Sequence, residues 1–443
     1  MSIEIPDSSF PRVVIVGGGF GGIQLAKSLR DKEVQVLMLD KHNYHTFQPL
    51  LYQVATGGLE PDSIAFPLRK IFKQHKNIFF RVANVEFVDD TQKKLITNIG
   101  EIKYDYLVIA TGSTTNFFGN ELIESNSMPM KSIPEALNLR SLILQSFEEA
   151  ILKDSINEQE VLMNFVIVGG GPTGVETAGA LAELKSHVLP NDYPDLDLRR
   201  MQINIVESSD RLLSSMSEQA SEMAEKFLKE MGVMVRTSDA VLSYDGRNAA
   251  LKSGKILETT NLIWTAGVKA ASIAGLTKAE FAKGARIMVD EYNKVIGYDS
   301  IFAIGDVSAM ISEDYPDGHP GVAQVALQQA KTLSKNIINI INKRKLKPFK
   351  YFDLGSMATV GRNKAVVDLP IIRFQGFFAW FVWMFLHLLF LVGFRNKMVV
   401  LINWIWNYFS YDRGTRLIIR PYRKNKQIMQ EEKNLIIDTR HTS

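Results

Sequence analysis

Short apolar runs alternate with segments of helical periodicity along most of the chain. Residues 13–16 are wholly apolar and lead into a glycine turn, a helical segment at about 21–30 and a second apolar run at 34–39. The same order returns after Asn164 and closes in the run at 201–208. Near-continuous apolar runs of this length are typical of parallel strands that are buried on both faces. The pattern predicts two βαβ units in an α/β fold.

Three later apolar runs, at 104–110, 262–265 and 301–304, also end in small or acidic residues. Apolar residues at helical spacing predict a long helix from about 322 to 341. Together these runs place the second unit inside the first. The predicted domains are the first part of one domain at 1–159, an inserted domain at 160–280, the second part of the first domain at 281–350, and a C-terminal region at 351–443.

The first glycine turn has the spacing of a dinucleotide-binding motif. Gly17, Gly19 and Gly22 supply a tight turn, room for a pyrophosphate against the backbone, and close packing of helix on strand. The pyrophosphate then lies at the positive end of the helix. Asp40 follows Gly17 by 23 residues, where a carboxylate can bond a ribose diol. The strand, helix and acid together predict a cofactor site.

The second turn repeats this arrangement with Gly169, Gly171 and Gly174, and its acid is Glu207. The acid lies 38 residues after the first glycine because a polar stretch is inserted between helix and strand. A carboxylate here favours the free 2′-hydroxyl of NADH and repels the 2′-phosphate of NADPH. Arg211 is near enough in sequence to weaken that preference. The turn predicts a second dinucleotide site.

Small residues at the ends of the other strands predict further cofactor contacts. Ala110 ends one apolar run and is followed by Thr111 and Gly112, and Gly267 follows another run. Small residues allow a ligand to approach the backbone closely. Asp306 follows the run at 301–304. It is either a ligand contact or a turn or N-cap aspartate.

The chain contains no cysteine among its 443 residues. This excludes disulfides, cysteine zinc sites, iron–sulfur clusters and CxxC redox pairs. If the protein moves electrons, an organic cofactor must carry them. A net charge of +3 is too near balance for nucleic acid to be the main partner. No third ligand clusters with His42 and His45, so no metal site is predicted.

The C-terminal region is strongly apolar. The 21 residues between Arg373 and Arg395 carry no formal charge, which is long enough to span a bilayer. Aromatic residues fill this run, however, and a second apolar stretch carries Asn403 and Asn407 as a polar stripe. Six basic residues at 413–426 suit anionic headgroups. We therefore expect a membrane-associated pair of helices that lies in one leaflet. The alternative is a helix that spans the membrane. A third interpretation, that this region forms a dimer interface, is compatible with the pair of helices in one leaflet.

Taken together, these features resemble the two-dinucleotide-binding-domain flavoproteins, and more narrowly the type II, non-proton-pumping NADH:quinone oxidoreductases. The resemblance covers the chain from Arg12 to about Arg420. It rests on six segments that occur in the family's order: TFQPLLYQVATG at 46–57, GPTGVE at 171–176, IWTAGV at 263–268, FAIGDV at 302–307, AQVALQQ at 323–329 and GFFAWFVW at 376–383.

The resemblance implies that the first unit holds FAD, with Asp306 as a contact, and that the second binds NADH. Relatives that reduce disulfides place a redox-active cysteine pair soon after the first ribose acid, against the flavin. Here that stretch reads HTFQPLLYQVATG and contributes Gln53 as an expected cofactor contact. Electrons must then pass directly from reduced flavin to an acceptor. The lack of cysteine also excludes the cysteine-dependent sulfide:quinone reductases.

Three residues are expected to act in catalysis. Gln324 and Gln328 are four apart and share one helix face, which the resemblance places beside the quinone headgroup; the alternative is an ordinary solvated pair. Glu176, expected in the first turn of the second unit's helix, is a candidate for relaying protons to the quinone. It could instead order the nicotinamide site or favour the helix N-terminus.

The expected activity is hydride transfer from NADH to FAD, followed by electron transfer to a membrane quinone without proton pumping. We expect a homodimer, peripheral or monotopic, on the cytoplasmic side of the cell inner membrane. Two alternatives remain open. One is a reductase of a soluble electron-carrier protein, and the other is a non-catalytic membrane flavoprotein that senses NADH.

Overall fold

The computed structural model describes residues 5–410 and 414–422. Its first large sheet has five parallel strands, and the edge strand at Ile301–Ala303 comes from far along the chain. The sheet is therefore interrupted in sequence, as the nested pattern predicts. Its strands, in spatial order, are Ile301–Ala303, Tyr106–Ile109, Arg12–Val16, Gln35–Asp40 and Ile78–Val82.

A second parallel sheet is formed from the intervening chain. The two sheets confirm the expected α/β class with two Rossmann-like units. The strands of the second sheet, in spatial order, are Met128–Pro129, Asn261–Trp264, Phe165–Val168, Ile203–Val206 and Met234–Arg236.

Short strands form smaller sheets around these two. Three antiparallel ladders comprise Val85–Asp89, Lys94–Thr97 and Gly100–Lys103; Val241–Tyr244, Asn248–Leu251 and Ile256–Glu258; and Ser356–Thr359, Ala365–Asp368 and Arg373–Gln375. The remaining short strands are Tyr44–Thr46 with Ala65–Pro67; Phe281–Ala282, Arg286–Met288 and Ser308–Ala309; and Ser113–Thr115 and Val268–Ala270.

The helices are labelled here in chain order. They are α1 Phe20–Ser28, α2 Leu51–Ala55, α3 Pro61–Ile64, α4 Leu68–Phe72, α5 Glu121–Asn126, α6 Ile133–Ile151, α7 Ile156–Met163, α8 Pro172–Glu183, α9 Leu189–Asp192, α10 Glu218–Glu230, α11 Ala323–Ile341, α12 Phe377–Phe390 and α13 Phe394–Ser410. A π-helical turn at Leu184–Val188, α9 and a 3-10 turn at Leu198–Arg200 occupy the inserted polar stretch.

The chain forms two compact units. The first comprises the described residues of Met1–Thr46, Ala65–Thr114 and Val268–Leu354, and the second those of Phe47–Ile64, Thr115–Gly267 and Gly355–Ser443. The predicted domain limits at 159/160, 280/281 and 350/351 remain predictions.

The strand Arg12–Val16 shows why the sequence pattern is continuous in apolar residues. Val13 and Ile15 join one core cluster, whereas Val14 and Val16 join another. Alternate side chains of a strand point to opposite faces, so both faces of this strand are buried. Helices α1 and α11 pack together on one of those faces.

The apolar C-terminal run divides into two helices. Helix α12 has 14 residues and α13 has 17. Gly393 lies between them with φ +86°, a backbone conformation that interrupts a right-handed helix. Within the described part of the chain, no helix is both long and apolar enough to cross a membrane.

Candidate functional site

Each glycine of the first turn has its own steric requirement. Gly17 has φ +114°, and a Cβ there would lie 2.2 Å from the carbonyl oxygen of Ala110. A Cβ on Gly22 would lie 1.9 Å from the carbonyl oxygen of Gly17. Around Gly19, by contrast, a Cβ would meet nothing within 4 Å. The turn is thus crowded at its two ends and open in the middle, where the motif requires room for a pyrophosphate.

The second turn repeats these three environments. Gly169 has φ +109°, and a Cβ there would lie 2.6 Å from the Cα of Ala266. A Cβ on Gly174 would lie 1.9 Å from the carbonyl oxygen of Gly169. Gly171 is open, with nothing within 4 Å, and it is the N-cap of α8. The backbone of both predicted turns therefore leaves room for the pyrophosphate of a dinucleotide at a helix N-terminus.

The two predicted ribose acids bond the middle of the turn that each one serves. Asp40 Oδ2 accepts a hydrogen bond from the backbone N–H of Gly18 at 2.5 Å. Glu207 Oε2 accepts one from the backbone N–H of Gly170 at 2.5 Å. Each carboxylate is thereby held at the carboxyl end of its sheet, beside the glycines, where a ribose would lie.

The local environment keeps Glu207 ionised. Burial acts to raise its pKa, but the backbone N–H groups of Ser209 and Gly170 and the hydroxyls of Ser208 and Ser209 together outweigh that effect, so the pKa of Glu207 is lowered. Arg211 is directed elsewhere, since its guanidinium donates to the carbonyl oxygens of Met216 at 2.9 Å and Ser214 at 2.9 Å. Glu207 therefore places a negative charge beside the second turn, and its contact with a ribose remains a prediction.

The residues after the strand Tyr106–Ile109 border the first turn. Ala110 is in contact range of Gly17, as the steric requirement of that glycine shows. The hydroxyl of Thr111 is buried and has no hydrogen-bond partner among the described residues. Gly112 has φ +70° and open space around its Cα. An unpaired buried hydroxyl beside the open Gly112 fits a bound cofactor that supplies the missing partner.

Gly267, the corresponding residue in the second unit, is less open. A Cβ there would lie 2.9 Å from the ring of Phe118. The backbone N–H of Asn116 donates to the carbonyl of Gly267 at 3.0 Å. A side chain at Gly267 would thus require the exposed Phe118 ring to move, and the role of Gly267 in cofactor binding remains a prediction.

Asp306 is held by groups that the sequence pattern did not single out. Its Oδ2 accepts a hydrogen bond from the Ser113 hydroxyl at 2.6 Å. The preceding Gly305 donates its backbone N–H to Gln329 Oε1 at 2.7 Å. Gln329 is 1% exposed. In the sequence, a glutamine on the apolar face of α11 is the feature that indicates this contact. The predicted site contains Gln324 and Gln328 instead.

Gln324 and Gln328 do share one face of α11. Both bond the backbone of the segment that follows: Leu354 donates to Gln324 Oε1 at 2.9 Å. Gln328 accepts from the N–H of Phe352 at 3.0 Å and donates to its carbonyl at 2.8 Å. The amide group of Gln328 carries two hydrogens, and only one of them takes part in these two hydrogen bonds.

Glu176 is the fifth residue of α8 and therefore lies beyond the first turn in which it was expected, because Gly171 is the N-cap and Pro172 begins the helix. Its side chain is 7% exposed. Burial raises the pKa of Glu176 to about 8, opposed by the Thr359 N–H, which donates to Oε1 at 3.4 Å, and by the side chain of Trp383. A carboxyl that is protonated near neutral pH can donate or accept a proton.

Gln53 lies on α2, where it contacts the C-terminal helices. Trp404 donates its indole N–H to Gln53 Oε1 at 2.8 Å, and Gln53 donates to the hydroxyl of Tyr52 at 2.9 Å. These residues line a cavity of about 100 Å³ within the second compact unit. Thr359 and Trp383, which contact Glu176, also line it.

The two early histidines have separate roles. His42 stacks on Tyr44, with ring centroids 5.2 Å apart. His45 is 3% exposed, and its Nδ1 lies 3.1 Å from the carbonyl oxygen of Gly18 in the glycine turn. Burial lowers the pKa of His45 to about 4, so this ring is neutral at pH 7.

Two family models match the chain. The model for pyridine nucleotide-disulphide oxidoreductases matches residues 11–330. The model for the NDH2 C-terminal domain matches residues 354–411.

Curated relatives match over nearly their full length. The type II NADH:quinone oxidoreductase Ndh of Mycobacterium tuberculosis is 34% identical over 418 residues, which cover 91% of this chain and 89% of that protein. The type II NADH:quinone oxidoreductase of Haemophilus influenzae is 30% identical over 410 residues, covering 85% of this chain and 92% of that protein.

Solved structures share the fold. NDH2 from Plasmodium falciparum in complex with NADH superposes with a TM-score of 0.84 at 23% identity, covering 93% of this chain and 100% of that chain. The sulfide:quinone oxidoreductase of Aquifex aeolicus has a TM-score of 0.68 at 21% identity, covering 90% of this chain and 95% of that chain.

Proposed function

Since this chain belongs to the type II NADH:quinone oxidoreductases, we propose that it oxidises NADH and reduces a membrane quinone by way of FAD, without pumping protons. The observation that carries the proposal is the pair of dinucleotide turns, each with its acid, in a chain that has no cysteine. A disulfide cannot act as the intermediate electron carrier in such a chain.

Bound FAD supplies the centre that accepts a hydride from NADH and passes electrons to the quinone. The protein's own part is to bind and orient its ligands. The open glycines Gly19 and Gly171 admit the two pyrophosphates, and Asp40 and Glu207 bond the riboses. Asp306, fixed by Ser113, adds a contact to FAD in the first unit.

Reduction of a quinone to a quinol requires two protons as well as two electrons. Glu176 holds a proton on its buried carboxyl near neutral pH and is the proposed relay. Gln324 and Gln328 are the proposed amide contacts of the quinone carbonyls, with Gln53 as a further cofactor contact. Exchange of Glu176 for another residue would then slow quinone reduction more than it weakens NADH binding.

The protein associates peripherally with the membrane, and we place it on the cytoplasmic side as a homodimer. Helices α12 and α13 each expose large apolar side chains. Of the basic residues at 413–426, Arg416 pairs with Asp192 at 2.7 Å and Arg420 is exposed. The other members of that group, at 413, 423, 424 and 426, lie outside the described residues, so their contact with anionic headgroups remains a proposal.

The proposed function is tested by following the flavin. Purified protein should be yellow, NADH should bleach it, and a ubiquinone or menaquinone analogue should restore the oxidised spectrum. The proposal fails if quinone does not reoxidise the flavin. Reoxidation by a small iron–sulfur protein alone would favour a soluble-carrier reductase, and bleaching without turnover by any acceptor would favour an NADH sensor.

The charge of Glu207 predicts the choice of nicotinamide cofactor. In Glu207→Gln, we expect the ratio of kcat/KM for NADPH to that for NADH to rise about tenfold, because the repulsion of a 2′-phosphate is removed. Steady-state kinetics with both cofactors measure this ratio. Glu258→Gln, an exposed acid of the same unit, is the matched control. An unchanged ratio in Glu207→Gln would show that the carboxylate does not face the ribose.

The exposed rings of α12 predict membrane affinity. Phe381 and Phe385 are 53% and 58% exposed. Replacing both by serine should lower partitioning into liposomes at least tenfold, because the apolar area available for burial in lipid is lost (about 1.5–3 kcal/mol per phenylalanine). Co-sedimentation with vesicles measures it. Serine at Leu152 and Ile256, which are 80% and 60% exposed elsewhere on the same unit, should leave partitioning unchanged.

A further inference from the structure

The segment Phe47–Ile64, called here the 47–64 loop, consists of short helical pieces joined by turns. Its helices α2 and α3 have five and four residues. Helices this short are not stable in isolation, so contacts from other elements must fix their conformation. The loop nevertheless forms part of the cavity described above, through Tyr52, Gln53 and Thr56. What holds the loop therefore also shapes the cavity.

Helix α13 supplies many of these contacts. The side chain of Asn396, 4% exposed, donates to the carbonyl oxygens of Asp62 at 3.0 Å and Ser63 at 3.1 Å. Both carbonyls belong to α3, whose last turn has no intrahelical partners for them. Asn396 thus acts as a cap for α3 from outside that helix.

Two further asparagines of α13 contact the loop. Asn403 donates to Glu60 Oε2 at 2.7 Å, and Asn407 donates to the carbonyl oxygen of Gly58 at 3.1 Å. With Asn396 they are spaced seven and four residues apart, which places all three on one side of a helix. We call these three residues the asparagine stripe. The sequence pattern predicts a polar stripe of interfacial character at Asn403 and Asn407; in the structure both amides donate to protein groups.

Trp404, on the same side of α13, fixes the orientation of Gln53. An indole N–H can only donate, so the oxygen of the Gln53 amide must face Trp404, at 2.8 Å. The amide nitrogen is thereby directed to the hydroxyl of Tyr52, at 2.9 Å. If the Gln53 amide were turned the other way, its NH2 group would face the indole N–H of Trp404, and two donors would be in contact. The tryptophan therefore determines which polar atom of Gln53 is available to the cavity.

The opposite side of α13 has a different chemistry. Ile402, Ile405 and Phe409 are 58%, 51% and 80% exposed. These side chains suit a lipid surface, whereas the asparagine stripe adds nothing to burial in lipid. Asparagine is also a weak helix former. Membrane attachment does not explain why three asparagines lie on this side of α13. Their contacts with the 47–64 loop do.

We propose that α13 positions the site of acceptor reduction: through the asparagine stripe and Trp404 it holds the 47–64 loop as a wall of the cavity beside Glu176. This inference rests on the proposed function. The role is separate from membrane attachment, because different sides of the helix serve the two purposes. Arg362 stabilises the arrangement by donating to the carbonyl oxygens of Asn407 and Tyr408 at the end of α13, the latter at 2.6 Å.

The test uses full-length, FAD-loaded protein in liposomes. One variant, Asn403→Leu with Asn407→Leu, removes two amide contacts and makes α13 more apolar, so any loss of activity cannot arise from weaker membrane binding. A second, Trp404→Phe, removes only the indole N–H and keeps an aromatic ring. Trp406→Phe is its matched control, because Trp406 lies two residues away and is 63% exposed.

Three quantities are measured for each variant: hydrogen exchange of backbone amides in the 47–64 loop, the rate of flavin reduction by NADH, and the rate of reoxidation by a ubiquinone analogue. In the double asparagine variant we expect exchange at 57–64 to rise about 25-fold, about fivefold for each hydrogen bond removed. Reoxidation should slow about tenfold, while reduction by NADH stays within about twofold of the parent.

In Trp404→Phe we expect a rise in the quinone KM of about fivefold with the NADH half-reaction retained. Trp406→Phe should give the parent's values. Retained yellow colour and NADH reduction show that a variant is folded. Unchanged exchange in the loop overturns the proposal that α13 holds it, and faster exchange with unchanged quinone reoxidation overturns the role of α13 in acceptor reduction. If quinone fails to reoxidise even the parent, the proposed function fails, while the exchange result still decides whether α13 holds the loop.

Discussion

Gly171→Val should leave the protein yellow but lower its kcat/KM for NADH by about 100-fold or more, because the pyrophosphate site is blocked. Gly171 has φ −70°, which suits any residue, and a Cβ there meets nothing within 4 Å. The valine therefore brings no backbone strain and no internal clash. Its side chain occupies the space that the cofactor pyrophosphate needs. Stopped-flow reduction of the flavin by NADH measures the loss.

The corresponding substitution in the first turn is its control. Gly19 also has an ordinary φ, −76°, and open surroundings. Gly19→Val should fold but fail to retain FAD, so the purified protein should be colourless. Gly19→Val thus tests the FAD site, and Gly171→Val tests the NADH site. Normal NADH kinetics in Gly171→Val, or loss of FAD from that variant, would refute the assignment of the second turn to NADH.

Glu176→Gln should stabilise the protein at alkaline pH. The pKa of this carboxyl is about 8 in the folded protein against 4.5 in an unfolded chain. Between these values only the unfolded chain releases the proton, so the free energy of unfolding falls as pH rises, by about 1.4 kcal/mol per pH unit and on the order of 5 kcal/mol in all. Below pH 4.5 both states are protonated and this effect disappears.

Thermal unfolding at pH 5 and pH 9 measures the difference. The glutamine variant and the parent should unfold at similar temperatures at pH 5, and the variant at a higher temperature at pH 9. Glu222→Gln, an exposed acid of the same unit, should show no such dependence. Equal unfolding temperatures at both pH values would show that the Glu176 carboxyl ionises normally.

The same variant decides between the two roles considered for Glu176. A proton relay predicts a fall in kcat for quinone reduction of about 100-fold, with the NADH half-reaction retained. A role in ordering the nicotinamide predicts a raised KM for NADH with kcat for quinone reduction maintained.

The glycine turns could be predicted because their requirements are local. Gly17 and Gly22 are specified by backbone atoms within a few residues or in the adjacent strand, and the motif spacing encodes that geometry. The strands beside them were predicted to within about two residues for a similar reason. Their apolar runs are continuous because both faces of each sheet are covered.

The surroundings of Glu176 and Gln53 could not be predicted from spacing. Thr359 and Trp383 lie about 180 and 210 residues after Glu176, and no periodicity links them. The partner of Gln53, Trp404, is 351 residues away. These contacts depend on how the C-terminal helices pack, and tertiary packing is what a local pattern leaves undetermined. The contacts of Asn403 and Asn407 with the 47–64 loop could not be predicted for the same reason.

The break at Gly393 has a mechanical consequence for the lipid. Helices of 14 and 17 residues are about 21 and 26 Å long, shorter than the hydrocarbon thickness of about 30 Å. We expect a protein attached by these two helices to enter the bilayer from one side and so to add area to that side alone, as a wedge does. Because such insertion bends the membrane toward the protein, we expect tighter binding to vesicles whose surface is strongly convex or whose lipids are loosely packed.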